Sequence, residues 1–153
     1  MKRFFKRFVV GSLALLCLLV VFHLWGLRQM DVITLSTYGH TLEPVSFFDR
    51  GDIAIIDKSG KNLITGVMGF QLREEKIYGW LTPPSRGHFM IFLDENRLES
   101  FDSFDSLGDL NERLLSLGLE RSSMSKQVTF WDIRREGLSS VEEYLSNHPN
   151  KGN

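Results

Sequence analysis

Residues 77–93 read IYGWLTPPSRGHFMIFL, and this stretch sets the architecture of the folded part of the chain. Within residues 88–93, every position after His88 is apolar, which is typical of a strand that is covered on both faces. Residues 77–81 form a preceding strand, and the loop between the two contains Pro83 and Pro84, which cannot continue a hydrogen-bonded ladder. The pattern therefore predicts that residues 88–93 form the central strand of a sheet.

Further short strands are predicted on both sides of this pair. The β-branched run 52–57 leads into a tight hairpin at Gly60, and residues 62–72 resume as a strand that glycines bend. Residues 97–101 are more polar and are expected to lie near an edge of the sheet. Residues 127–134, QVTFWDIR, are interpreted as one more strand.

Two helices are predicted in the last third of the chain. Leucines recur at three- and four-residue spacing in 107–117, and Ser106 is the expected N-cap. Ser139 is expected to cap a second helix over 140–146. The expected fold class is α+β, a small antiparallel sheet with one or two packed helices that follows an N-terminal transmembrane helix.

The transmembrane segment is predicted at residues 8–27, FVVGSLALLCLLVVFHLWGL, which carry no charge. Twenty residues at about 1.5 Å each span roughly 30 Å, the thickness of the hydrocarbon core of a bilayer. No small-x-small cleavage site follows, so we interpret the segment as a retained signal anchor rather than a cleaved signal peptide. Residues 1–7 contain four Lys or Arg, and Arg28 alone follows the span. The positive-inside rule then predicts a single-pass protein of the cell inner membrane, with a cytoplasmic N-terminus and a periplasmic C-terminal domain.

These predictions divide the chain into five parts. Residues 1–7 are a basic cytoplasmic tail, and the anchor follows. Residues 28–51 have mixed character and are interpreted either as a stalk or as a first strand of the outer domain. The extracytoplasmic α+β domain is expected at 52–146, and residues 147–153 are expected to be a frayed polar tail.

Composition excludes several classes of function. Residues 29–153 contain 19 Asp or Glu and 13 Lys or Arg, a net charge of −6, so a nucleic-acid partner is not expected. The chain has one Cys, which excludes a disulfide framework and a four-cysteine zinc site. The histidines lack metal-ligand spacing, and no motif for a cofactor is present.

Two groups of residues are candidate partner-binding sites. The first combines carboxylates with aromatic side chains, which suits docking of a basic protein partner from the envelope or the medium. Its members are Phe101, Asp102, Phe104, Asp105 and Asp109. The second consists of Trp131 and Arg135, which would share one face of the predicted strand over 127–134. Trp and Arg are common binding hot spots, but both groups are also ordinary in core strands and solvated edges.

The preferred hypothesis is a membrane-anchored protein-binding module, either an envelope assembly subunit or an inhibitor of the immunity type, and not an enzyme. One alternative is a small envelope hydrolase that uses Asp52 or Asp94 together with His88. Another is an accessory subunit of a membrane complex that binds through residues 8–27, although that segment has no GxxxG pattern.

Overall fold

The computed structural model describes residues 11–24, 32–45, 52–82 and 87–152, which fall into two units, Met1–Asp31 and Val32–Asn153. In the first unit, residues 11–24 form a helix, α1, whose side chains are all exposed. The ends of the predicted transmembrane segment, residues 8–10 and 25–27, lie outside the described residues. Within the residues that are described, no helix combines the length and the apolarity needed to cross a bilayer.

The second unit contains two antiparallel sheets of four strands each, so the class is α+β. Both sheets run in simple sequence order, with each strand paired to the next. The first sheet comprises β1 (Ile33–Thr34), β2 (Thr41–Pro44), β3 (Ile53–Ile56) and β4 (Asn62–Ile64). The second sheet comprises β5 (Val67–Arg73), β6 (Lys76–Leu81), β7 (Gly87–Phe92) and β8 (Arg97–Phe101).

The predicted single strand over 62–72 is in fact two strands that belong to different sheets. The chain leaves β4 and enters β5 through Gly66, whose φ of 80° is in the left-handed region that favours glycine. Residues 28–51 also contribute more than a stalk, because their described part forms β1 and β2 and pairs with β3. The prediction of one small sheet is therefore corrected to two.

Strand β7 has the central, doubly covered position that its sequence predicts. It lies between β6 and β8, and residues 89–92 are all buried. Phe89 and Ile91 point to one face and join residues of the first sheet in the main core. Met90 and Phe92 point to the other face and pack in a second cluster with residues of the helix α2 (Ser106–Ser116), here called the α2 core. Alternation along one strand thus connects two separate apolar clusters.

The α2 core is closed by the helix α2 (Ser106–Ser116), which contributes Leu110 and Leu114. The helix is close to the predicted one, but the N-cap is Asp105, whose side chain accepts a hydrogen bond from the Gly108 N–H at 3.2 Å. Ser106, the predicted N-cap, is instead the first residue of the helix, and its hydroxyl is bonded to His88. Gly118 follows the helix with a φ of 76°.

The predicted strand over 127–134 is wrong, because Phe130–Arg135 is a helix, α3. Thr129 and Asp132 form a capping box: the Asp132 N–H donates to Thr129 Oγ1 at 3.1 Å, and the Thr129 N–H donates to Asp132 Oδ2 at 3.0 Å. The helix buries Phe130 and Ile133 in the main core. Capping thus outweighs the β propensity of the aromatic residues here.

The C-terminal end is held rather than frayed as far as residue 152. The last helix, α4 (Val141–Asn147), begins one residue later than predicted and is capped by Ser140. Beyond it, the Gly152 N–H donates to the Lys126 carbonyl at 2.8 Å, and Lys151 Nζ donates to the Ser125 carbonyl at 3.0 Å. These bonds attach the chain end to a short 3₁₀ helix, Met124–Lys126.

The capping box gives a direct test of α3. Replacing Thr129 with Ala removes the acceptor for the Asp132 N–H, and we expect the free energy of unfolding to fall by about 1 kcal/mol. Thr129→Ser keeps the hydroxyl and should lose much less, as measured by denaturant unfolding of the two variants. An equal loss in both would show that the cap does not stabilise the helix.

Candidate functional site

Among the described residues of the second unit, the most exposed apolar side chain is Phe104, in the connection between β8 and α2. Its side chain is wholly exposed, whereas Phe101, three residues earlier, packs partly against the α2 core. The exposure of Phe104 follows from the geometry of the connection, since residues 102–105 turn from the end of β8 into the first turn of α2. We call the surface from Phe101 to Glu112 the acidic corner.

Four carboxylates share the acidic corner with Phe104, and residues 102–112 contain no Lys or Arg. Asp102 and Glu112 are exposed and accept no side-chain hydrogen bond from a described residue. Asp105 caps α2, and Asp109 accepts a hydrogen bond from the Ser103 hydroxyl in the first turn. Within the described part of the chain, none of the four forms an ion pair. Among the described residues, no cation therefore neutralises these four carboxylates by an ion pair.

The acidic corner is attached to the central strand by a histidine that the sequence does not assign to it. His88 Nδ1 lies 2.9 Å from the hydroxyl of Ser106, the first residue of α2. His88 also stands directly opposite Phe101 across the β7–β8 pair. Burial lowers the pKa of His88, which favours the neutral ring beside this helix start. The pair fixes the start of α2, and hence the turn that carries Phe104, to β7.

A second set of hydrogen bonds holds the middle of α2 against β8. Arg113 donates to both oxygens of Glu99, from Nε and from Nη2, each at 2.9 Å. Arg97 also donates to Glu99, and its guanidinium carbon lies 3.9 Å from the centre of the Phe92 ring. The hydrogen bonds from Arg113 lower the pKa of Glu99, so its carboxylate remains charged and bound. This arrangement keeps strand and helix in one orientation.

The two groups of predicted binding residues lie on different sides of the second sheet. The five from Phe101 to Asp109 lie together in the acidic corner, on the side of the second sheet that α2 covers. Trp131 and Arg135 belong to α3, which packs into the main core on the opposite side of that sheet. Because they are four positions apart on a helix, both are on its exposed face, although they do not share a strand face as predicted. One surface cannot contain all seven residues.

The geometry does not bring the carboxylates of the hydrolase hypothesis to His88. Asp94 follows the far end of β7, about 20 Å away at roughly 3.3 Å per residue. Asp52 precedes β3 in the first sheet, whereas His88 faces α2 on the other side of the second sheet. The described residues also contain no group of three or more His, Cys, Asp or Glu that could hold a metal ion.

A polar chain that includes the buried side chains of His40 and Asp57 joins the hairpin ends of the two sheets, and it was not predicted. His40, 1% exposed, donates from Nε2 to Asn96 Oδ1 at 2.9 Å, and Asn96 Nδ2 donates to Asp57 Oδ2 at 2.9 Å. The other oxygen of Asp57 accepts from the Ser59 hydroxyl at 2.6 Å and from the N–H groups of Ser59 and Lys61. The chain joins the β3–β4 turn to the β7–β8 turn. Its role is to hold the two sheets together.

These bonds make a pH-dependent contribution to stability. Hydrogen bonds from the Ser59 hydroxyl, the Asn96 amide and the Lys61 N–H lower the pKa of Asp57 far below its ordinary value of 3.8. A lowered pKa means that the stabilisation is complete above the ordinary value and is lost as the pH falls below it.

We expect Asp57→Asn to lower the melting temperature at pH 7 and to flatten its decline between about pH 5 and pH 2. Thermal unfolding followed across this range measures both effects. Asp94→Asn, at an exposed turn residue, is the control and should keep the acid decline of the parent. If the melting temperature of Asp57→Asn fell with pH as steeply as that of the parent, the polar chain would not be the source of the acid sensitivity.

The chain was compared with protein-family models, with curated proteins and with solved structures, and none of them matches.

Proposed function

We propose that the chain is a protein-binding module that docks a basic protein partner through the acidic corner. The observation that carries the proposal is the wholly exposed Phe104 in a surface whose four carboxylates form no ion pair with a described residue. A solvated phenyl ring offers apolar area that only a binding partner would cover, and aromatic anchors commonly dominate the energy of interfaces. Carboxylates around such an anchor select a positive surface and accelerate the encounter with it.

The rigidity of the corner supports the same function. Two contacts hold α2 against β7 and β8. One is the hydrogen bond between His88 and Ser106, and the other is the pair of hydrogen bonds from Arg113 to Glu99. A surface that is already in its bound conformation loses less conformational entropy when a partner binds. The Phe104 anchor is thus presented by a fixed helix start.

The location of the module is part of the proposal. Residues 8–27 act as a single membrane anchor with the N-terminus in the cytoplasm, so the second unit is displayed outside the cytoplasmic membrane. The binding activity belongs to this outer unit because the acidic corner lies in it. The partner is then an envelope or secreted protein, and the module is an assembly subunit or an inhibitor of the immunity type.

The proposal is tested by placing the photo-crosslinking residue p-benzoylphenylalanine at position 104 of the full-length chain in its native membranes. We expect one predominant crosslinked protein. Asp102→Lys combined with Glu112→Lys should lower its yield about tenfold, since each reversal replaces an attraction with a repulsion. Both residues are exposed, so the double variant should keep its stability.

The matched control is Glu142→Lys, which reverses an exposed carboxylate on α4. It should leave the yield unchanged. A crosslinked protein whose yield ignored the reversals at 102 and 112 would contradict electrostatic docking, and the absence of any crosslinked protein would contradict the acidic corner as a binding surface.

A further inference from the structure

The four edge strands of the two sheets are not equally protected. At β5, the Phe70 N–H donates to the Val128 carbonyl at 2.9 Å and the Val128 N–H donates to the Phe70 carbonyl at 2.8 Å. At β1, the Thr34 N–H donates to the Ser139 carbonyl at 2.8 Å. Strand β4 is only three residues long. Strand β8 has five residues, and no described segment pairs with its outer side.

The outward groups of β8 follow from the register. A two-residue turn joins β5 to β6, so Arg73 and Lys76 form its closing hydrogen-bonded pair. Alternation then directs the backbone groups of Phe89 and Ile91 toward β6 and those of His88, Met90 and Phe92 toward β8. On β8, the N–H and C=O of Leu98 and Ser100 therefore point away from the sheet. The same alternation points Phe70 outward from β5, where it does bond to Val128.

An open edge of this kind is a template for another strand, and proteins normally cover or shorten it. Here the opposite edge of the same sheet is covered, while the open edge runs directly into the acidic corner at Phe101. Backbone pairing on β8 would bring a bound segment to Asp102 and to the exposed ring of Phe104. Main-chain hydrogen bonds to β8 would supply affinity, and the carboxylates and Phe104 of the acidic corner would select the bound segment. Peptide recognition by strand addition divides affinity and specificity in this way.

We propose that the partner adds an extended, positively charged segment to β8 as a fifth strand of the second sheet. This proposal rests on the proposed function and specifies how the partner docks. Charge complementarity selects the occupant: residues 102–112 carry four carboxylates and no cation. A second copy of the chain is disfavoured because residues 29–153 of each copy carry −6.

Ser100 provides the test, because it is exposed and its N–H points outward. Ser100→Pro removes that donor and blocks the edge, and proline is tolerated at outward positions of edge strands. Ser100→Ala keeps the N–H and is the matched control. With the photo-crosslinker at position 104 of the full-length chain, we expect Ser100→Pro to lower the yield at least tenfold and Ser100→Ala to keep it. The crosslinked segment of the partner should be rich in Lys or Arg.

Equal yields from the two Ser100 variants would overturn strand addition and leave docking at the acidic corner intact. A crosslinked product made of two copies of the chain would overturn the basic partner in favour of self-pairing. If no product formed in any variant, the proposed function and this proposal would fall together.

If Ser100→Pro did not fold, the parent chain would give the answer through amide hydrogen exchange. The probe is then a synthetic peptide of the crosslinked partner segment. Strand addition predicts that this peptide slows exchange at Leu98 and Ser100 at least tenfold, and unchanged rates there would overturn it.

Discussion

The burial of β7 on both faces is the constraint on which the rest of the second unit depends. Phe89 and Ile91 need the first sheet above them, whereas Met90 and Phe92 need a cover on the other side. The four strands of the first sheet satisfy the first requirement, and α2 satisfies the second. Because α2 must lie across β7 and β8, the chain turns sharply after Phe101, and this turn places Phe104 in solvent.

The same arrangement explains why one edge of the second sheet differs from the others. The C-terminal part of the chain supplies α3, α4 and the segments that close β1 and β5, all of which pack on or beside the main core. Strand β8 lies at the other end of the second sheet, where α2 covers its face and not its edge. The ion pairs from Arg97 and Arg113 to Glu99 belong to that face, so they keep β8 in place without occupying its outward groups.

The sequence predicted the elements whose signal is local and strong. The apolar run in residues 88–93 predicts a doubly covered strand, Gly60 predicts a hairpin, and the leucine spacing in 107–117 predicts α2. Gly66 was interpreted as a bend within one strand, because a change of sheet and a bulge have the same local signature. For α3, the capping box at Thr129 and Asp132 was the available signal, and the aromatic pair at 130 and 131 obscured it.

The candidate site was predictable only where its residues are neighbours in sequence. Phe101 to Asp109 lie together because a short connection and one helix turn contain all of them. The hydrogen bond of His88 with Ser106 joins residues 18 positions apart, and the bond of His40 with Asn96 joins residues 56 apart. Such pairs depend on register and sheet order, which periodicity does not encode. The separation of Trp131 and Arg135 from the acidic corner has the same origin.

Binding by strand addition depends on an open β8 edge, and amide hydrogen exchange of the free full-length chain tests that edge most directly. The register predicts that the N–H groups of Leu98 and Ser100 exchange at least about a hundredfold faster than those of Glu99 and Phe101, which point to β7. Slow exchange at all four positions would mean that another part of the chain covers the edge, and it would contradict the account of how a partner binds.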